Sequence, residues 1–245
     1  MSGETLPPWP RRPALFLDFD GTLVEIVEHP SLATASPRLM ALLPKLPGAC
    51  GGAVAVITGR RIEDVDRILA PHSFFAAGVH GLERRGVGTI TTCGVDAKLD
   101  EIRRRVEPFV AAHEGVWIED KRLAFAVHYR SRPELEPDVH RFVAELERTA
   151  PRDVEILLGH KVFEVKPAAA DKGRAIAAFM QEPPFAGRTP VFVGDDVTDE
   201  AGFRVVNALG GVSIKVGAGQ TLARWRLADV SAVIAWLSES VNAAG

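Results

Sequence analysis

ALFLDFDGT, residues 14–22, sets four unbroken apolar residues against an acid, an aromatic, a second acid, a glycine and a threonine. Four residues are too few for a helix, and the absence of a polar break marks a strand buried on both faces, as in a parallel sheet. AVAVI at 53–57 and PVFV at 190–193 have the same form, and they run into the turns TGRR and GDDVTD. Helical patterns alternate with these runs. Ser36-Pro37 is an N-cap and first-turn pair, after which Leu39, Met40, Leu42, Leu43 and Leu46 repeat at helical spacing. Further helices fit 61–69, 172–181, 199–209 and 231–241. Strand, turn and helix repeated in this way give an open α/β sheet with its ligand-binding turns beyond the carboxyl ends of the strands. All three polar turns are therefore expected at one edge.

The middle of the chain has another pattern. Helical stretches at 96–112 and 134–149 are each followed by two strand-like runs, 116–120 with 123–129 and 153–158 with 161–166. That order, αββαββ, describes an antiparallel α+β unit, and the parallel-sheet pattern resumes only after Pro167. The expected organisation is a Rossmann-like parallel-sheet core, residues 13–83 and 168–241, with an inserted αββαββ cap at 84–167.

Composition narrows the function. The chain has 245 residues, 47% of them hydrophobic, enough to bury a substantial core and too many for a disordered chain. Its 29 basic and 32 acidic residues leave a formal charge of −3, without the basic footprint of a nucleic-acid binder. A small-molecule ligand fits better. Cys50 and Cys93, the only cysteines, form neither a disulfide framework nor a metal pair, and read as buried free thiols of a reducing compartment. No secretory leader and no run of about 18 apolar residues is found, so a soluble, cytoplasmic, non-membrane protein is expected, as a monomer.

The turns carry chemistry. Asp18 and Asp20, two residues apart after a strand, point the same way, although a lone Asp-Gly pair can also do no more than end a strand. A carboxylate can attack phosphorus to form an aspartyl-phosphate, and Asp18 is placed for that. Phosphate-monoester hydrolysis needs acceleration of up to ~10²¹, so further groups must act. Asp20 could serve first as acid to the leaving oxygen and then as base to water. Gly21 would turn backbone N–H groups toward the phosphate. Thr58, with Gly59 and Arg60, offers a hydroxyl just before a helix; alone it is an ordinary cap. Lys172 opens another helix, where it is either a solvated lysine or a point charge toward phosphate and Asp18. Asp195, Asp196 and Asp199 fall within one turn. Asp199 can serve the helix dipole, but two acids before the helix exceed what capping requires. Mg²⁺ takes such hard oxygens, so Asp18 and Asp195, with the Asp20 carbonyl, form the candidate metal set.

The ordered set DxDGT, TGR, DKG and GDDxTD resembles the haloacid-dehalogenase-like phosphohydrolase superfamily, whose members use an aspartate nucleophile. Within it the chain is similar to the trehalose-6-phosphate phosphatase family. The resemblance rests on LDFDGTLVEI at 17–26, GVHGLERR at 78–85, WIEDKRLAFAVHYR at 117–130, KVFEVKP at 161–167 and GDDVTDEAGF at 194–203. It implies Mg²⁺-dependent hydrolysis of trehalose 6-phosphate, the last step of trehalose synthesis. Gly21, Gly59, Asp196 and Asp199 would support the site. Glu119, Lys121 and Glu164 would hold the distal glucose, and Arg60, His80, Gly81, His128 and Arg130 would border the cleft. Read without the resemblance, the cap charges fit a solvated strand face and the two histidines fit structural roles. A capped phosphatase for sucrose phosphate or mannosyl phosphoglycerate, or a non-catalytic sugar-phosphate sensor, are the alternatives.

Overall fold

The computed structural model describes residues 6–86, 90–92, 97–159 and 161–244. It divides into two compact units, Met1–Thr91 with Asp171–Gly245, and Thr92–Ala170. In the first unit β1 (Pro13–Leu17) leads through short helices α1 (Pro37–Leu42) and α2 (Leu46–Ala49) to β2 (Val54–Ile57), α3 (Ile62–Leu69), β3 (Phe75–Gly78), β4 (Glu83–Arg85) and β5 (Ile90–Thr92). The second unit runs α4 (Ala97–Ala111), β6 (Trp117–Asp120), β7 (Phe125–His128), α5 (Glu136–Thr149), β8 (Val154–Gly159) and β9 (Val162–Pro167). The chain returns to the first with α6 (Lys172–Phe179), β10 (Thr189–Gly194), α7 (Glu200–Ala208), β11 (Val212–Val216), β12 (Trp225–Leu227) and α8 (Val230–Ala244).

The first unit is built on an eight-stranded sheet in the order β12-β11-β10-β1-β2-β3-β4-β5. β1 lies between β10 and β2, parallel to both, with Leu15 beside Val191 and Val54. The three apolar runs are therefore neighbours, and their polar turns share one sheet edge. Every residue of β1 and β2 is buried, as continuous apolar strands between two helix layers must be, and β11 is buried throughout although it carries Ser213 and Lys215. Alternate residues feed two cores. Leu15, Leu17, Val54 and Val191 join α1, α2, α3 and α8, whereas Phe16, Ala55 and Phe192 join α6 and α7. β4 is antiparallel to β3, so the sheet is parallel over its centre and mixed at this margin. Helix α1 begins as the sequence specifies, with Ser36 Oγ accepting from the Leu39 N–H at 3.2 Å.

The second unit has a four-stranded antiparallel sheet, β6-β7-β9-β8. Phe125, Val127, Phe163 and Val165 pack with Val106 of α4 and Val143 of α5 on one face. Glu119, His128 and Glu164 occupy the alternating positions of the other. Among the described residues no helix is long and apolar enough to cross a membrane. Cys50 is buried and free, its thiol pushed up to about 12 by burial; Cys93 lies outside the described residues.

Candidate active site

Asp18 directly follows β1, its N–H bonded to the Val193 carbonyl at 2.9 Å, which ties it to β10. Its carboxylate is buried and accepts from Lys172 Nζ at 2.7 Å on Oδ1. The same ammonium donates to Asp199 Oδ1 at 2.7 Å. Lys172 reaches this point because Asp171 caps α6, accepting from the Gly173 and Arg174 N–H groups at 2.6 and 3.1 Å. Gly173 completes the DKG signature for a packing reason, since a Cβ there would stand 2.5 Å from the Ala201 carbonyl oxygen. Asp199 is fully enclosed; its other oxygen accepts from the Asp196 N–H at 2.9 Å, closing a capping box with Asp196 at the start of the turn.

Burial raises the Asp18 pKa well above the usual carboxylate range, helped by the negative charge of Asp199 and opposed by Lys172. Burial also works against a charged Lys172, but the charges of Asp18 and Asp199 prevail and raise its pKa. Asp195 is pushed up to about 6, by burial first and by Asp199 second. Asp18 and Asp199 thus share one ammonium, with Asp195 beside them. Among the described residues Asp18, Asp195 and Asp199 form one group with oxygens within 4.8 Å of one another. Both Asp199 oxygens are already bonded, whereas buried Asp195 Oδ1 has no hydrogen-bond partner. Such an orphaned carboxylate oxygen beside a second carboxylate fits a hard divalent cation and offers no soft ligand for zinc.

Gly21 has a packing reason to be glycine as well. Its own N–H is taken by the Val24 carbonyl at 2.8 Å. Its φ is +74°, and a Cβ would lie 2.1 Å from Asp195 Oδ2. The missing side chain is the space that the Asp195 carboxylate fills. Asp20 has a partner of its own. Arg60 forks onto it, Nε to Oδ2 at 2.6 Å and Nη2 to Oδ1 at 2.7 Å, while Nη1 donates to the Pro30 carbonyl at 2.9 Å. Arg60, expected to border the cleft, is buried, pairs with Asp20 and lies over the Phe19 ring.

Thr58 Oγ1 accepts from the Arg60 N–H at 3.0 Å, which leaves the hydroxyl proton to donate. The 78–81 segment is stitched to this turn by Val79 N–H to Arg60 O at 2.8 Å and His80 N–H to Thr58 O at 2.9 Å. Val79 and His80 have φ of 45° and 54° and Gly81 of 104°, a left-handed run that delivers the His80 ring onto Gly59. A Cβ on Gly59 would stand 2.7 Å from His80 Nε2. His80, Gly81 and Gly59 thus belong with Thr58.

One residue escaped the sequence reading. Lys215, buried on β11 in register with Gly194, donates from Nζ to the Asp195 carbonyl. Its signal was a lone lysine in the otherwise compact run VSIKV, residues 212–216.

In the second unit the residues singled out in the cap pair with one another. His128 Nε2 and Glu119 Oε2 are 2.7 Å apart, and Lys121 Nζ donates to Glu164 Oε1 at 2.9 Å. Burial works against ionised Glu119, but the His128 hydrogen bond and Lys121 outweigh it and leave the pKa lowered. Arg130 follows two residues after His128, half-buried. Trp117, to which the sequence reading gave no role, stacks on His128 with ring centroids 4.2 Å apart.

The chain matches the Trehalose-phosphatase family model over residues 16–231. It is 44% identical over 226 residues to the trehalose-6-phosphate phosphatase of Escherichia coli strain K12, covering 91% of this chain and 85% of that one. A probable trehalose-phosphate phosphatase of Sinorhizobium fredii is 42% identical over 205 residues, 83% of this chain and 77% of that one. The fold is similar to that of the C-terminal domain of C. albicans trehalose-6-phosphate phosphatase, with a TM-score of 0.88 at 23% identity, covering 95% of this chain and 93% of that one.

Proposed function

The chain belongs to the trehalose-phosphatase family, and on that premise we propose that it hydrolyses trehalose 6-phosphate to trehalose and inorganic phosphate with Mg²⁺ as cofactor. The observation that carries the chemistry is the Lys172 ammonium shared by Asp18 and Asp199 beside the unpaired oxygen of Asp195.

In the proposed mechanism Asp18 Oδ attacks phosphorus and the bond to the sugar oxygen breaks, leaving an aspartyl-phosphate on Asp18. The departing sugar oxygen takes a proton from Asp20. Water then attacks the same phosphorus, gives its proton to Asp20, and releases phosphate and the Asp18 carboxylate. Arg60 occupies both Asp20 oxygens, so its fork must open for Asp20 to carry and deliver the proton. Lys172 and the Thr58 hydroxyl supply donors to phosphoryl oxygens, and Lys172 keeps Asp18 oriented. Asp18 and Asp195, with the Asp20 carbonyl, would hold Mg²⁺, which when bound screens nucleophile from phosphate and stabilises developing charge. Gly21, Gly59, Asp196 and Asp199 support that arrangement. Glu119, Lys121 and Glu164 of the second unit are proposed to read the sugar hydroxyls, with His128 and Arg130 of that unit and Arg60, His80 and Gly81 of the first also contributing to substrate binding. The second unit is thus the proposed specificity cap.

Phosphate release from trehalose 6-phosphate, measured with Mg²⁺, after chelation and on re-addition, tests this directly. Activity should vanish and return, and Asp18→Asn should be inactive yet folded by circular dichroism. Full activity in the substituted protein or in verified metal-free enzyme would overturn the reading, as would preference for sucrose phosphate in a substrate panel.

A further inference from the structure

Trp117 and His128 are direct cross-strand partners on β6 and β7. Their rings lie 4.2 Å apart and within 11° of parallel. Glu119 is two residues further along β6, hence on the same sheet face as Trp117, and it meets His128 diagonally. The neighbours on the opposite face, Ile118 and Val127, face the apolar core of this unit. An imidazole rotates readily about its second side-chain torsion, and only some orientations aim Nε2 at Glu119 Oε2. A parallel indole restricts that rotation. We propose that Trp117 is a positioning residue for sugar specificity: its stack on His128 holds the His128–Glu119 hydrogen bond, so that Glu119 keeps one oxygen engaged and offers the other, Oε1, to a sugar hydroxyl.

The cost of losing the stack follows from the neighbours. Lys121 already acts electrostatically on Glu119 and is hydrogen-bonded to Glu164. A Glu119 released by His128 would be drawn to that ammonium, which would engage a second acid and remove both carboxylates from their present directions. A neutral disaccharide offers no charge for compensation, so its recognition depends on acceptors held in place. This proposal rests on the reading of the substrate as a sugar phosphate.

The experiment is a double-substitution cycle of Trp117→Ala and His128→Gln, with Trp117→Phe as the conservative variant. kcat/KM is measured on trehalose 6-phosphate and on p-nitrophenyl phosphate, which has no sugar. Trp117→Ala should lower the sugar-phosphate value about 10- to 100-fold, the loss of one charge-assisted hydrogen bond, with far less effect on the aryl phosphate. Trp117→Phe should recover most of it, and adding Trp117→Ala to His128→Gln should cost little more. Independently, the His128 ring protons should be displaced upfield in the proton spectrum by the indole ring current, and should move downfield in Trp117→Ala. Additive losses, equal losses on both substrates, or unmoved His128 protons would overturn the proposal alone. A wild type with no preference for any sugar phosphate over the aryl ester would overturn the substrate reading as well, and a preference for another sugar phosphate would overturn the trehalose 6-phosphate reading while the cycle, run on that substrate, still tests the role of Trp117.

Discussion

Single side chains at this site are held by neighbours that leave little freedom, and the charges make definite demands. In metal-free protein Asp195 has a pKa near 6 against an ordinary value of 3.8, because burial and Asp199 oppose its ionisation. Between those values the folded chain binds more protons here than the unfolded chain, so this group's contribution to stability is lost as pH rises through about 6. The penalty at neutral pH is on the order of 2–3 kcal/mol. Asp195→Asn should therefore raise the metal-free Tm by roughly 5 °C at pH 7.5. The gain should shrink as pH is lowered toward 4, and added Mg²⁺ should no longer shift Tm. Scanning calorimetry across pH checks this, and a lower Tm at pH 7.5 would refute it. Lys215 offers a contest of signs. Removing a cation from beside a metal site should tighten metal binding by Coulomb's law, whereas losing the tether on the Asp195 carbonyl should loosen it. We expect the tether to dominate. Mn²⁺ binding to Lys215→Met, followed by electron paramagnetic resonance, should be weaker by about 10-fold.

At the scale of elements, β1, β2 and β10 were legible because burial on both faces writes itself as an unbroken apolar run. Ser36 announced its helix by capping chemistry that needs only local sequence. β4, β5 and β12 carry three residues each, too few for any periodicity, and β11 is interrupted by Ser213 and Lys215. In the site, the DxDG, DKG and GDD signatures located Asp18, Lys172 and Asp195. The Arg60 fork on Asp20, the Gly21–Asp195 fit and the Trp117 stack were hidden, because each depends on register or approach between segments far apart in sequence. Helix approach is itself testable. Gly202 lets α7 lie on β10, since a Cβ there would stand 2.4 Å from Phe192 Cε1. Gly202→Val should cost about 1–3 kcal/mol in urea unfolding, from overpacking a core that has no slack.

Over the whole molecule the two units have separate hydrophobic cores, so a substitution in one need not disturb the packing of the other. Alanine at Glu119, Lys121 or Glu164 should lower kcat/KM for trehalose 6-phosphate by roughly 10- to 150-fold while leaving aryl phosphate turnover far less affected. Equal losses on both substrates in folded protein would assign these residues to support of the structure. The strand order has a further consequence during synthesis. β1 is made first, yet one of its two edges awaits β10, and Asp18 awaits a lysine 154 positions downstream. A chain still emerging from the ribosome therefore carries a fully apolar strand with an unpaired edge through most of its translation, the interval in which a chaperone or an aggregate competes for it. Lys172, Asp195 and Asp199 all lie in the last third of the chain, so a product truncated before Lys172 keeps the nucleophile and none of these three groups around it.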